Sequence, residues 1–222
     1  MPEKNQSERK TSDELITPSS TSARPLPANL PLDALDPNLT EDLALALLQR
    51  PDLRAEIIEQ LSKQAGLIKS RKVKISLCGH PNTPRHVSVP LARQLYTFDL
   101  MKVALSATTP ADVKVAAENV LISRLKAVTV GERLTLARRA SGKVAAAMLI
   151  GSASDVKLVA HENADPKAAT PDTRILQTAL ANPRLTEVLV INSVLHPAAS
   201  ADCVQAVSVH PKWSIRREVR SA

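Results

Sequence analysis

Basic side chains gather in three stretches of the 222-residue chain. KSRKVK (69 to 74) puts Lys69, Arg71, Lys72 and Lys74 within six positions, and ARRASGK (137 to 143) holds Arg138, Arg139 and Lys143. The closing HPKWSIRREVRSA (210 to 222) holds Lys212, Arg216, Arg217 and Arg220. Ammonium and guanidinium groups at this density suit recognition of carboxylate or phosphate. On a helix, Arg216 and Arg220 are four apart and Arg217 and Arg220 three, so these side chains share one side. Short helices packed side by side would align such groups into a groove that tracks phosphates. Interleaved aromatics, the usual platform for bases, are absent. A solvated or partner-facing helix is therefore preferred to a nucleic-acid site.

The other reactive groups carry less. Three of the five histidines stand before proline, at His80-Pro81, His196-Pro197 and His210-Pro211. They recur with the turn, so each is placed at a helix C-terminus, where partial positive charge suits the dipole and free carbonyls need donors. Cys78 and Cys203 are far apart with no CxxC spacing, which gives neither a disulfide framework nor a cysteine metal site. No GxSxG, HExxH or GxxxxGK[ST] pattern occurs. Acidic pairs such as Glu41-Asp42 fall in a first helical turn, where the dipole already explains them. No catalytic residue is nominated, and Asp99 or Glu118 could not be singled out. No cofactor and no metal are expected.

What must position these groups is a set of short helices. Aromatic content is 1 %, from Tyr96, Phe98 and Trp213 alone, and five glycines stand against sixteen prolines. Such a core is built from Leu, Val, Ala and Ile, which argues against a sandwich or barrel and for an all-α fold with proline-containing turns. Residues 1 to 35 mix charge, Ser, Thr and Pro without apolar period and read as a disordered tail. Residues 1 to 68 carry 7 basic and 11 acidic side chains, and 69 to 222 carry 22 and 11, so the overall charge of +7 belongs to the later part and favours acidic partners. The N-terminus lacks a signal-peptide apolar run, and VAAAMLIGSAS (144 to 154) is too short to span a bilayer, so a cytoplasmic location without membrane contact is expected.

The turns themselves repeat. Pro183, Pro197 and Pro211 are fourteen apart, and three positions after each stands Thr186, Ser200 or Ser214. A hydroxyl before an apolar-periodic stretch is a preferred helix N-cap. NPRLTEVLVINSVL, HPAASADCVQAVSV and HPKWSIRREVRSA then each hold one turn and one helix, with Trp213 in the place of Leu185 as a staple onto the first turn. DPNLTEDLALALLQRP (36 to 51) aligns without gaps to NPRLTEVLVINSVLHP (182 to 197), sharing six of sixteen residues. Repeated turn–cap–helix units mark a helical solenoid.

Thr83-Pro84, Thr109-Pro110 and Thr170-Pro171 each predict a threonine cap with proline in the first helical position. TVGE (129 to 132) has capping-box spacing, and Ser141 is placed as the cap of SGKVAAAMLI. The predicted helices are 41–50, 53–64, 71–78, 84–89, 91–96, 99–106, 110–126, 130–139, 142–150, 155–162, 171–181, 187–195, 201–209 and 215–222. Pro90 should split or kink its segment. KVKISL (72 to 77) alternates as a strand would, though its neighbours favour helix. Residues 151 to 172 do not fit the period and read as an insertion. After Ser214 only eight residues remain, too few for an independent helix, so the last helix frays or the natural chain is longer.

The units "NPRLTE", helix, "HPKW", arginine-rich helix resemble bacterial HEAT-like and leucine-rich-repeat-variant helical proteins, most closely over 182 to 222 and diffusely over 36 to 165. Members of the second group can hold a cysteine-bound iron–sulfur cluster, but Cys78 has no companion cysteines here. The resemblance implies a right-handed superhelix over 36 to 222 and a mode of binding rather than a reaction. The expected function is a non-catalytic scaffold or adaptor for a protein partner. The alternative is a nucleic-acid-binding repeat that uses the basic clusters on one face.

Overall fold

The structure, a computed structural model, describes residues 39–151 and 171–222, and all regular structure among them is helical. The first six helices are α1 (Glu41–Leu48), α2 (Ala55–Lys63), α3 (Ala65–Lys69), α4 (Arg71–Gly79), α5 (Arg85–Gln94) and α6 (Thr97–Leu105). There follow α7 (Ala111–Arg124), α8 (Val130–Arg139), α9 (Gly142–Gly151), α10 (Pro171–Leu180), α11 (Glu187–Val194), α12 (Ala201–Val209) and α13 (Arg217–Arg220). KVKISL lies wholly within α4, so the alternating reading fails there. The expected tail over 1 to 35 and the predicted helix 155–162 lie outside the described residues.

Local sequence explains most of these helices. In α2, Ile57, Ile58 and Leu61 are buried on one side, while Lys63 pairs with Glu59 one turn earlier at 2.9 Å on the outer side. Thr129 opens α8 with a complete capping box. Its hydroxyl accepts from the Glu132 N–H at 3.3 Å, and the Glu132 carboxylate accepts from the Thr129 N–H at 2.9 Å. Ser200 caps α12 by accepting from the Cys203 N–H at 3.1 Å.

Other ends differ from expectation for identifiable reasons. Pro84 and Pro110 themselves occupy the N-cap position, one place later than predicted, and Thr83 instead donates its hydroxyl to the Leu77 carbonyl at 2.6 Å. Thr186 is an N-cap without a side-chain bond, and the Ser141 hydroxyl is buried without a partner rather than capping α9. Ser214 caps nothing, because α13 begins only at Arg217, after a run of turns. Helix α5 runs straight through Pro90: Val87 and Ser88 before the proline and Leu91 and Ala92 after it are all buried on the core side, while Pro90 is exposed. Continuity of that buried face outweighs the single backbone bond that proline removes.

Packing sorts the helices into two series. In the first, α1 packs on α4, α4 on α6, α8 on α10 and α10 on α12. In the second, α5 packs on α7, α7 on α9, α9 on α11 and α11 on α13. The first series is interrupted between α6 and α8, which are not among the closely packed pairs. Helices α1 and α4 begin thirty residues apart, at Glu41 and Arg71, as do α10 and α12 and also α11 and α13. The fourteen-residue spacing of prolines is about half of that thirty-residue step, while other packed neighbours in a series begin 26 to 45 residues apart. Helix α1 also lies in the other series from α11, so their gapless alignment reflects shared turn and cap grammar rather than equivalent places.

Polar side chains tie each turn to the turn one period away. Asn82 donates to the carbonyls of Pro51 (3.0 Å) and Leu53 (2.9 Å), and His80 bonds the Arg50 carbonyl at 2.8 Å. Arg124, at the end of α7, donates to the carbonyls of Leu95 (2.6 Å) and Arg93 at the end of α5. Asn182 donates to Ala137 (2.7 Å) and Ala140 (3.2 Å), and the Trp213 indole donates to Leu180 at 2.9 Å. Between the helices the core is Leu, Val and Ile with many alanines, such as Ala92, Ala117, Ala137 and Ala145, that let backbones approach closely.

Candidate functional site

Where the first series is interrupted, a cleft of about 1030 Å³ opens. Its walls are the last turns of α6, α8 and α10 and the turn that follows α10. Four cations line it, Lys102, Arg138, Arg139 and Arg184, and no acidic side chain does.

Cations near helix C-termini have an ordinary explanation, since they offset the dipole. Each C-terminus carries roughly half a negative charge, so three of them leave four cations largely uncompensated. Arg124 shows what a structural arginine does in this fold, with both terminal nitrogens on carbonyls. Among the described residues, the four cleft cations make no side-chain hydrogen bond and no ion pair, and all four are exposed. A mixed surface would place carboxylates among them. The arrangement suits an anion.

The other basic residues singled out by spacing are dispersed. Arg71 grips Asp99 with two bonds, Nε at 2.6 Å and Nη2 at 2.8 Å, and lies over the Tyr96 ring at 5.2 Å. Asp99 is wholly buried and holds the Arg71 guanidinium charged by hydrogen bond and by charge, raising its pKa, so this pair latches α4 to α6. Lys69 ends α3 and Lys72 begins α4, both exposed, while Lys74 is half-buried. Lys143 donates to the Asn119 amide oxygen at 3.0 Å. Lys212 lies 4.1 Å above the Trp213 ring. Arg216 precedes α13 and faces Glu187 at 3.9 Å, and exposed Arg217 and Arg220 bound that four-residue helix. Of the eleven, only Arg138 and Arg139 enter the cleft. Lys102 and Arg184 were missed, being isolated cations in TFDLMKVAL and NPRL; cations shortly before or after helix ends would have been the signal.

The His-Pro steps do recur as one turn, built on a shared side-chain bond. His80, His196 and His210 each accept, through Nδ1, the N–H two residues on, at 3.1, 3.1 and 3.2 Å. With Nδ1 accepting, Nε2 is the donor, and in His80 it faces the Arg50 carbonyl. Burial and then Lys212 hold the His210 pKa below its usual value. Asn182 makes the same turn with its amide oxygen, accepting from the Arg184 N–H at 2.8 Å. Cys78 and Cys203 are buried, and burial pushes their thiols up to about 12 and about 11, so both are protonated and unreactive at neutral pH. Among the described residues no three His, Cys, Asp or Glu side chains cluster as metal ligands, and no helix is long and apolar enough to cross a membrane. Comparison with known protein families, characterised proteins and solved structures finds no match.

Proposed function

We propose that the chain is a helical-repeat solenoid acting as a non-catalytic scaffold for a protein partner. The observation that carries this reading is the packing of the helices in two alternating series, with three packed pairs, α1 and α4, α10 and α12, and α11 and α13, each beginning thirty residues apart. Bonds from Asn82, Arg124, Asn182 and Trp213 to neighbouring turns support it, because each unit is completed by the next. Such a stack offers a long surface made of many short elements, which suits an extended partner better than a small substrate. The unoccupied cations of the cleft give that surface a preference for acidic chains. Burial keeps the Cys78 and Cys203 thiols protonated and Asp99 is paired with Arg71, which favours the binding reading over chemistry at these groups.

The test uses the immobilised full chain in extract from its native source. Proteins retained specifically are then purified and titrated back. Saturable binding by at least one of them is expected. If none binds once purified, the scaffold reading falls.

A further inference from the structure

Two smaller hollows adjoin the basic cleft. One of about 380 Å³ lies between α1, α4 and α6, and one of about 570 Å³ lies between α10 and α12. They are joined to the cleft through shared walls: Lys102 borders the first hollow and the cleft, and Gln177 borders the cleft and the last hollow. The three hollows follow one another along the first series of helices, each meeting the next at a shared side chain. Charge along them is uneven. The first hollow has no charged wall residue besides Lys102 and is otherwise lined by apolar side chains such as Leu48, Ile75 and Val103 and by neutral polar ones such as Gln49, Ser76 and Thr108. The last is lined by Thr173, Gln205 and a carboxylate, Asp202.

We infer that this row of hollows binds an extended peptide segment of a partner, with carboxylates facing Lys102, Arg138, Arg139 and Arg184 and neutral residues on either side. A nucleic-acid strand is charged at every step and would need cations along the whole length, whereas here they are confined to the middle and Asp202 would repel one end. No Phe, Tyr or Trp side chain lines any of the three hollows, so the usual platform for stacking successive bases is missing. Amide and hydroxyl groups on the flanks suit a peptide backbone, whose own N–H and C=O groups need partners. The inference rests on the repeat reading, in which the six helices of the first series, about 8–10 Å apart where they pack and wider at the cleft between α6 and α8, span at least about 45 Å. An extended peptide of about fourteen residues covers that distance.

The test is fluorescence anisotropy with a labelled peptide of about that length, Gly, Ser and Asn throughout with a short central run of Glu. Three comparisons accompany it: the same peptide with Gln for Glu, an oligothymidylate of similar length, and added salt. The acidic peptide should bind the full chain, weaken with salt and outcompete both other probes. Changing Arg138, Arg139 and Arg184 together to Ala should weaken binding by about tenfold or more, since each exposed pair contributes modestly. The melting temperature should hold, because these side chains have no partner to lose. Arg217→Ala with Arg220→Ala should bind as the parent does.

Three results overturn the inference: no binding of the acidic peptide, equal binding of the Gln peptide, or no effect of the triple substitution. A fourth is oligothymidylate binding more tightly and losing affinity with the triple variant, which would assign the row of hollows to nucleic acid. If purified partners bind the chain while the peptide does not, the scaffold reading stands and this inference alone fails.

Discussion

Asn182 uses three of its four hydrogen-bonding positions on backbone groups, two carbonyls at the end of α8 and the N–H of Arg184. It is almost fully buried, so truncation would leave groups without water or protein partners. Asn182→Ala should cost about 2–3 kcal/mol in urea unfolding, the desolvation penalty of leaving such groups unpaired. His210 allows a test by pH. Its folded pKa is depressed, so between that value and the ordinary histidine range the unfolded chain binds the extra proton. Its contribution is therefore whole above the unfolded pKa, about 6.5, and lost as pH falls through the folded value. His210→Asn keeps the acceptor for the Lys212 N–H, as Asn182 does before Arg184, and cannot be protonated. Thermal melts of the variant should vary less across that acidic window than those of the parent. An unchanged pH profile would show that His210 does not titrate with folding.

At the scale of elements, Gly142 governs how α9 meets the turn after α10. A Cβ there would overlap the Arg184 carbonyl oxygen and press on the Leu189 side chain. Backbone cannot yield as a side-chain tip can, so Gly142→Ala should destabilise by about 1–3 kcal/mol or more despite alanine's better helix propensity. Urea unfolding reads this directly, and a neutral result would mean the two elements are not so close. The all-helical class was legible in the scarcity of aromatics and glycine. The capping box at Thr129 and the Ser200 cap were legible because their partners lie three residues away. The fate of Ser141, Ser214 and Pro90 was not, since it depends on burial by segments remote in sequence. The cleft was hidden for the same reason. Lys102, Arg138 and Arg184 come from three helical units, and no local cluster announces their meeting.

At the scale of the whole molecule, the lone Trp213 belongs to the last units, its indole bonded to Leu180 and buried. In the proposed repeat reading, stacked units need not unfold as one. Tryptophan fluorescence, which reports only the surroundings of Trp213, should therefore change at a different denaturant concentration from far-ultraviolet circular dichroism. Coincident curves would indicate a single cooperative block. Trp213→Phe should keep most of the packing while removing the bond to Leu180, bringing the helical signal loss of the last units to lower denaturant.

The backbone of Arg184 is held at its N–H by Asn182, and its carbonyl lies in the space that a side chain at position 142 would fill. The same asparagine holds the carbonyls of Ala137 and Ala140, which flank Arg138 and Arg139. Three of the four cleft cations thus spring from two stretches of main chain that one side chain, Asn182, ties together. A ligand arriving there would have to still only the outer rotamers of those side chains, with the loop entropy already surrendered during folding. Loosening that tie with Asn182→Ala would be felt as faster ligand release, even though Asn182 touches no ligand itself.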